Sequence, residues 1–340
     1  MTVDTAARYP QVTPSISAVI CTHNRSDHLR KAIASLQAQD LPADAFEIIV
    51  VDNGSTDDTR SVVDEFAEAP HPVLYFHEPV LGLSRARNTG WKLARAPLVA
   101  YLDDDAIAAP DWLSRLIDAF ADLRWRSGCV GGRIEGNWEA PRPSWLHQGL
   151  LPCLTVIEWD RTERCPTRDG IFVAGANIAF RRELLEQAGG FAENLGRKGG
   201  NLLSAEERDM AERIEALGYT TIYDPHATVK HWVGRERLTR QWFLERARWQ
   251  GISDAAVRMN RGAGLVGRLG GVAQVLTRWQ FLKNVALRAA AAVAPDQPRL
   301  FVARFDVMRH LSCAASLLKG MPPGKPESVA ARTVASAPSA

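Results

Sequence analysis

The chain holds 340 residues, 46% hydrophobic and 24% charged, with a net charge of +2, a composition that excludes a disordered or fibrous protein and fits one large or two ordinary globular domains. The charge is uneven: residues 251–340 carry 12 Lys/Arg against 4 Asp/Glu, so this segment is +8 and the remainder −6. Five cysteines without a Cys-x-x-Cys pair exclude a zinc or disulfide scaffold and imply reduced thiols. Residues 1–14 lack the basic and apolar regions of a signal peptide, and the most apolar later stretch, Val285 to Ala294, is short and interrupted by Arg288, so no membrane-spanning helix is expected.

After a loose start over residues 1–14, Ile16 to Ile20 predicts a buried strand, and Ser26 to Gln39 has helical periodicity. Glu47 to Val51 is a second apolar run, closed by the turn Asp52-Asn53-Gly54-Ser55-Thr56 and followed by a helix from Asp57 to Glu68. Val73 to Phe76, a helix over Ser84 to Ala94, and the strand Leu98 to Leu102 come next, and a helix follows from about Ala109. Strands alternating with helices predict right-handed crossovers and a mostly parallel sheet. From Gly128 to Gly170 the pattern weakens, and Trp138, Trp145 and Trp159 lie among prolines, where they either close a core or stack on a sugar. Phe172 to Phe180 reads as a strand with a small-residue break, Arg181 to Ala188 as a short helix. Gly189 to Gly200 is glycine-rich, and Ser204 with Glu207 has the spacing of a capping box opening a helix to Leu217. Ala227 to Trp232 closes a further strand, and Gln241 to Gln250 is an amphipathic helix whose aromatics join the core.

Three aspartates, Asp103, Asp104 and Asp105, follow the fourth strand directly. Carboxylates so close repel one another, so they sit best where solvent or a cation answers them. Alone they read as a solvated acidic turn. In a parallel sheet, however, ligands bind beyond the carboxyl ends of the strands, and here those ends carry Thr22-His23-Asn24-Arg25, Asp52-Asn53 and the three aspartates. That polar edge suits a hard divalent cation and phosphate. No Gly-x-Gly-x-x-Gly follows the first strand and no Gly-Lys-Ser/Thr loop occurs, which argues against a dinucleotide dehydrogenase or a P-loop enzyme.

The segments Ser17 to Arg25, Val50 to Thr59, Gly82 to Gly90 and Tyr101 to Asp105, then Gly175-Ala176-Asn177, Gly190-Phe191, Glu206-Glu207 and His231, resemble in order and spacing the family 2 glycosyltransferases. The resemblance covers about residues 15–250 and implies the GT-A fold, an α/β Rossmann-like sheet flanked by helices, with a nucleotide-binding half over 15–127 and an acceptor half over 128–250. It implies an inverting transferase that moves a sugar from a nucleoside diphosphate sugar, UDP-linked by expectation, to a hydroxyl acceptor in a glycan, a lipid or a small molecule. By this analogy Asp105 and Asp103, with His231, hold Mn²⁺ or Mg²⁺, and Asp103 and Asp104 also meet the nucleotide. Asp52 and Asn53 seat the base, while Thr22, His23, Arg25 and one of Arg85 and Arg87, with Arg85 chosen, line the nucleotide pocket. Family members often carry Pro and an aromatic where this chain has Cys21 and His23. Glu207 takes the place of the general base, with Glu206, Asn177 and Trp249 toward the acceptor; Glu245 to Trp249 is reminiscent of the Gln-x-x-Arg-Trp motif of processive members. The alternative from another class is a non-catalytic GT-A-like scaffold binding nucleotide or glycan at a membrane.

Residues 251–320 mix apolar residues with spaced Arg and Lys, a basic amphipathic extension that fits either a helical cap on the catalytic domain or, over 261–320, an anionic membrane surface. The tail after Gly320 is rich in Pro, Ser and Ala and is expected to be disordered. A cytoplasmic protein peripheral to the inner face of the membrane is the expectation, with no nucleic acid partner.

Overall fold

A computed structural model describes residues 13–262, 264–277, 281, 283, 285 and 298–320. The expected loose residues 1–12 and tail 321–340 lie outside the described residues, as do parts of the basic extension.

The first half follows the predicted alternation. Strands β1 (Ile16–Thr22), β2 (Phe46–Asp52), β3 (Val73–His77) and β4 (Leu98–Asp103) form a parallel block in the order β3-β2-β1-β4. They alternate with α1 (Ser26–Gln37), α2 (Thr59–Asp64) and α3 (Leu83–Leu93). The central strands are mostly apolar because both faces are covered, with Ser17 and Glu47 paired to each other by a hydrogen bond. Ile16, Ala18 and Ile20 of β1 point into one core with Leu29, Ile33 and Leu36 of α1, while Val19 points to the other with Ala86 of α3. That split is the period of two expected of a strand.

The second half completes a mixed sheet. After β5 (Ala106–Ala108) and α4 (Trp112–Ala121), β6 spans Ser127–Trp138. A two-residue β7 (Cys165–Pro166), β8 (Asn177–Arg181), α5 (Arg182–Gln187), α6 (Glu206–Ala216) and β9 (Thr220–Val233) follow. β8 runs antiparallel between β4 and β6, β6 pairs parallel with β9, and β5 pairs antiparallel with β9. Sequence periodicity misses β6 because glycine fills four of its positions in SGCVGGRIEGNW and hides the alternation. The predicted strand from Phe172 shortens to β8 because the preceding backbone crosses Arg87 instead of pairing: a Cβ at Gly175 would sit 2.3 Å from the Arg87 guanidinium.

Helix α7 runs Arg240–Asn260, through the boundary expected at residue 250, and starts at Thr239, whose side chain caps the Trp242 N–H. It is followed by α8 (Leu265–Leu276) and α9 (Pro298–Lys319). Trp145 packs edge-on against Phe243 of α7 and Phe301 of α9, and Trp138 lies against the same cluster. Trp159 packs on Phe172 and donates to its carbonyl. Of the two roles open to these tryptophans, the structure shows core closure.

Candidate active site

The acidic cluster forms where β4 leaves the sheet beside β1, with Cys21 in register with Asp103. Thr22 Oγ1 donates to Asp104 Oδ2 at 2.8 Å, and Arg25 bonds Asp104 Oδ1 at 3.1 Å as well as Asp105 Oδ2. Pairing of β5 with β9 sets Ala106 opposite His231, which brings His231 Nε2 within 3.2 Å of Asp105 Oδ1. Arg237, in the turn after β9, lies 3.6 Å from Asp105 Oδ2. Burial alone would push Asp105 up, but His231, Arg25 and Arg237 hold it well below the usual carboxylate range. Asp104 is pushed up by burial against the pull of Arg25.

Ligand atoms of Asp103, Asp105 and His231 all lie within 4.8 Å of one another. His231 Nδ1 is buried without a hydrogen-bond partner. Two carboxylates and an imidazole whose Nε2 faces Asp105 fit a divalent cation, and the imidazole favours Mn²⁺ over Mg²⁺.

A crevice of about 290 Å³ opens over this cluster, lined by Thr22, His23, Arg25, Asn53, the backbone turn at Leu81–Leu83 and the loop Gly199–Leu202. Asn53 is a clamp: its Nδ2 donates to the Glu78 and Val80 carbonyls and its Oδ1 accepts from the Gly82 N–H, which fixes one wall. His23 Nδ1 meets the Asn53 carbonyl at 2.9 Å. Asp52 is buried beneath that wall, where Oδ1 accepts from the Ser55 N–H and Oδ2 from the Tyr75 hydroxyl. It shapes the turn and is not among the residues lining the crevice.

Arg87, 3% exposed, joins the acidic cluster to the Glu206-Glu207 pair. It donates to Glu206 Oε1 at 2.8 Å and lies 3.5 Å from Asp103 Oδ1. Its guanidinium packs near the rings of Tyr101 and Phe191. Gly196, at φ +79°, closes over the pair, where a Cβ would come 2.9 Å from Ser84 Oγ and 3.3 Å from the Glu206 carboxyl carbon. Burial and the adjacent Glu207 push Glu206 up. Glu206 Oε2 and Glu207 Oε2 are both buried without a partner.

The structure departs from several expectations. The capping box does not form: Ala205 takes the cap position in a left-handed conformation, and the Ser204 hydroxyl turns to Ser253 and Arg246. Arg85 is not brought to the crevice; it binds Glu78 at 3.0 Å and approaches Glu193 at 3.4 Å, and of the two neighbouring arginines Arg87 turns inward. Asn177 is wholly buried, accepting from the Trp112 indole N–H and donating to the Arg133 and Ala227 carbonyls, so it ties strands together and does not face an acceptor. Trp249 is half-buried on α7 outside the crevice, and Arg248 is exposed beside Glu245. The inward residue there is Arg246, which donates to the Leu202 carbonyl and Ser204 Oγ.

Sequence reasoning also passes over Arg197 and Arg237, both of which line the crevice. Burial lowers the Arg237 guanidinium even against the attraction of Asp105. Arg197 keeps a solvent-facing edge, yet the protein around it, Arg246 and Arg25 lower it too. Cations crowded in this way gain by taking up an anion. The spacing of Arg237 just beyond His231 is the signal that could have found it.

The glycosyl transferase family 2 model matches residues 17–189. A glucosyl-dolichyl phosphate glucuronosyltransferase of Haloferax volcanii is 30% identical over 241 residues, 70% of this chain and 75% of that protein. A validoxylamine A glucosyltransferase of Streptomyces hygroscopicus is 37% identical over 231 residues, 60% of this chain and 52% of that one. Among solved structures, a mannosyltransferase of Pyrobaculum calidifontis in complex with GDP-Man and Mn²⁺ superposes over 92% of this chain and 90% of its own, with a TM-score of 0.60 at 22% identity, and shares the fold. By the matched segment and the order of its motifs, the chain belongs to glycosyl transferase family 2.

Proposed function

We propose that this chain transfers a sugar, with inversion, from a nucleoside diphosphate sugar to a hydroxyl-bearing acceptor, and that UDP is the nucleotide. The observation that carries the reading is the bridge of Arg87 between Asp103 of the acidic cluster and the Glu206-Glu207 pair. Through this one guanidinium the candidate cation site and a largely buried carboxylate pair are held side by side, which supports a displacement that needs both a cation and a base. A binding-only scaffold has no need of both, which favours the enzyme.

Asp103, Asp105 and His231 would hold Mn²⁺ or Mg²⁺, which when bound supplies Lewis-acid stabilisation of the departing diphosphate. Mn²⁺ in the Pyrobaculum neighbour supports that choice. Arg25, Arg197 and Arg237 present their charge to the same phosphates. The Asn53 clamp orients the wall against which the base rests, with Asp52 fixing its turn. Glu207 takes the acceptor proton as the hydroxyl attacks, and Glu206, anchored by Arg87, sits beside it. Relatives named for a dolichyl phosphate and for validoxylamine A leave a lipid, a glycan or a small molecule as acceptor classes.

Glu207→Gln tests the assignment. Donor binding should persist while transfer falls by about 10²–10⁴-fold, the contribution of a positioned base; transfer at the wild-type rate would remove Glu207 from the role.

A further inference from the structure

The helices after α7 present a face that the crevice does not use. On α8, Leu265 is 65% exposed, Val266 84% and Leu269 51%, and on α9 Leu318 is 61% exposed. Single exposed apolar side chains are ordinary, but a group of them on neighbouring helices marks a contact surface. The two helices bury their other sides against one another, through Val275 of α8 and Cys313, Ala314 and Leu317 of α9. By helical spacing Leu265, Val266 and Leu269 fall within an arc of about 100° whose centre is about 130° from Val275. On α9, Leu311 and Leu318 lie seven residues apart on one stripe, with Ala315 between them and also exposed.

Charge identifies the occupant. Half-buried Arg268 lies about 60° outside the apolar arc of α8, at its edge and beside Gly320, and exposed Lys319 follows Leu318 at the end of α9. The whole segment 251–340 holds 12 Lys/Arg against 4 Asp/Glu, while the rest of the chain is acidic overall. An apolar face rimmed by Arg and Lys fits the headgroup region of an anionic bilayer, where the side chains enter the acyl boundary and the cations meet lipid phosphates. Among the described residues no helix is long and apolar enough to cross a membrane, so the contact is one of lying on the surface.

We propose that the α8–α9 face, centred on Leu265, Val266 and Leu269 with Arg268 and Lys319 at its rim, docks the protein on an anionic lipid bilayer. This goes beyond the proposed transfer reaction and does not depend on it. The test is flotation of the full chain with vesicles of pure phosphatidylcholine and of phosphatidylcholine containing about a third phosphatidylglycerol, at low and high salt. The expected result is at least tenfold more protein floating with the anionic vesicles at low salt. High salt should weaken it, because screening shortens the reach of the charges. Leu265→Asp, Val266→Asp and Leu269→Asp together should abolish it while circular dichroism and the thermal transition stay as in wild type. Flotation with neither vesicle, or equal flotation of the triple variant, would overturn the proposal. A wild-type dimer in light scattering that the triple variant converts to monomer, without any flotation, would overturn it in favour of a contact between copies of the chain. Nucleotide binding is read separately, so failure of the docking face leaves the proposed reaction standing.

Discussion

Replacing Arg87 by methionine keeps most of the side-chain volume against Tyr101 and Phe191 but removes the cation that answers Glu206 and Asp103. Glu206 must then either keep a buried, unanswered charge or take up a proton. Breaking a buried ion pair by removing one partner costs about 3–5 kcal/mol. Protonation caps the cost: neutralising a glutamate of ordinary pKa 4.5 at pH 7 takes about 3.4 kcal/mol. The same step at pH 5 takes about 0.7 kcal/mol. The sign follows from proton counting, because the folded variant binds a proton that the unfolded chain releases above its ordinary pKa, so the deficit grows as pH rises and shrinks as it falls. Urea denaturation at pH 5, 6, 7 and 8 should show Arg87→Met less stable than wild type by about 3 kcal/mol at pH 7 and by about 1 kcal/mol at pH 5. Adding Glu206→Gln should restore most of the difference. A deficit below about 1 kcal/mol at pH 7, or one equal at all four pH values, would refute the buried-charge argument and leave only lost packing.

Asn177→Ala should cost about 2–4 kcal/mol of stability by chemical denaturation, because three hydrogen bonds that join Trp112, β6 and β9 to β8 are lost in a fully buried place; its effect on transfer in the surviving folded protein should be small. Arg85→Ala should leave transfer within about threefold of wild type, since its partners are Glu78 and the exposed Glu193 and it does not line the crevice. A hundredfold loss in a steady-state assay would place Arg85 in the site after all.

The parallel half of the sheet is legible in the sequence because its strands are continuous apolar runs and its helices carry their buried residues at spacings of three and four, as Leu29, Ala32, Ile33 and Leu36 do. The second half is less so. The glycines of β6 erase periodicity, and Phe172 to Ala176 is apolar enough to mimic a strand while its backbone detours over Arg87. Local signals placed the Asp103 to Asp105 cluster and His231 correctly at strand ends, since those positions follow from the strands themselves. What spacing could not decide was which side of a helix faces the crevice. Arg85 and Arg87 are two residues apart, and spacing favours neither: Arg87 turns inward and Arg85 does not, because the choice rests on the helix rotation set by tertiary packing. Asn177 shows the converse: a polar residue at the head of a strand carried family resemblance, while its environment makes it a strand clamp.

The account stands most directly on the acidic cluster as a cation-dependent nucleotide site. Titration calorimetry of UDP against the full chain, with Mn²⁺ and then with EDTA, should show binding at least tenfold tighter with the cation, and Asp105→Asn should abolish that difference while the protein remains folded. Equal affinity with and without Mn²⁺ in the wild type, or an undiminished Mn²⁺ effect in Asp105→Asn, would contradict it.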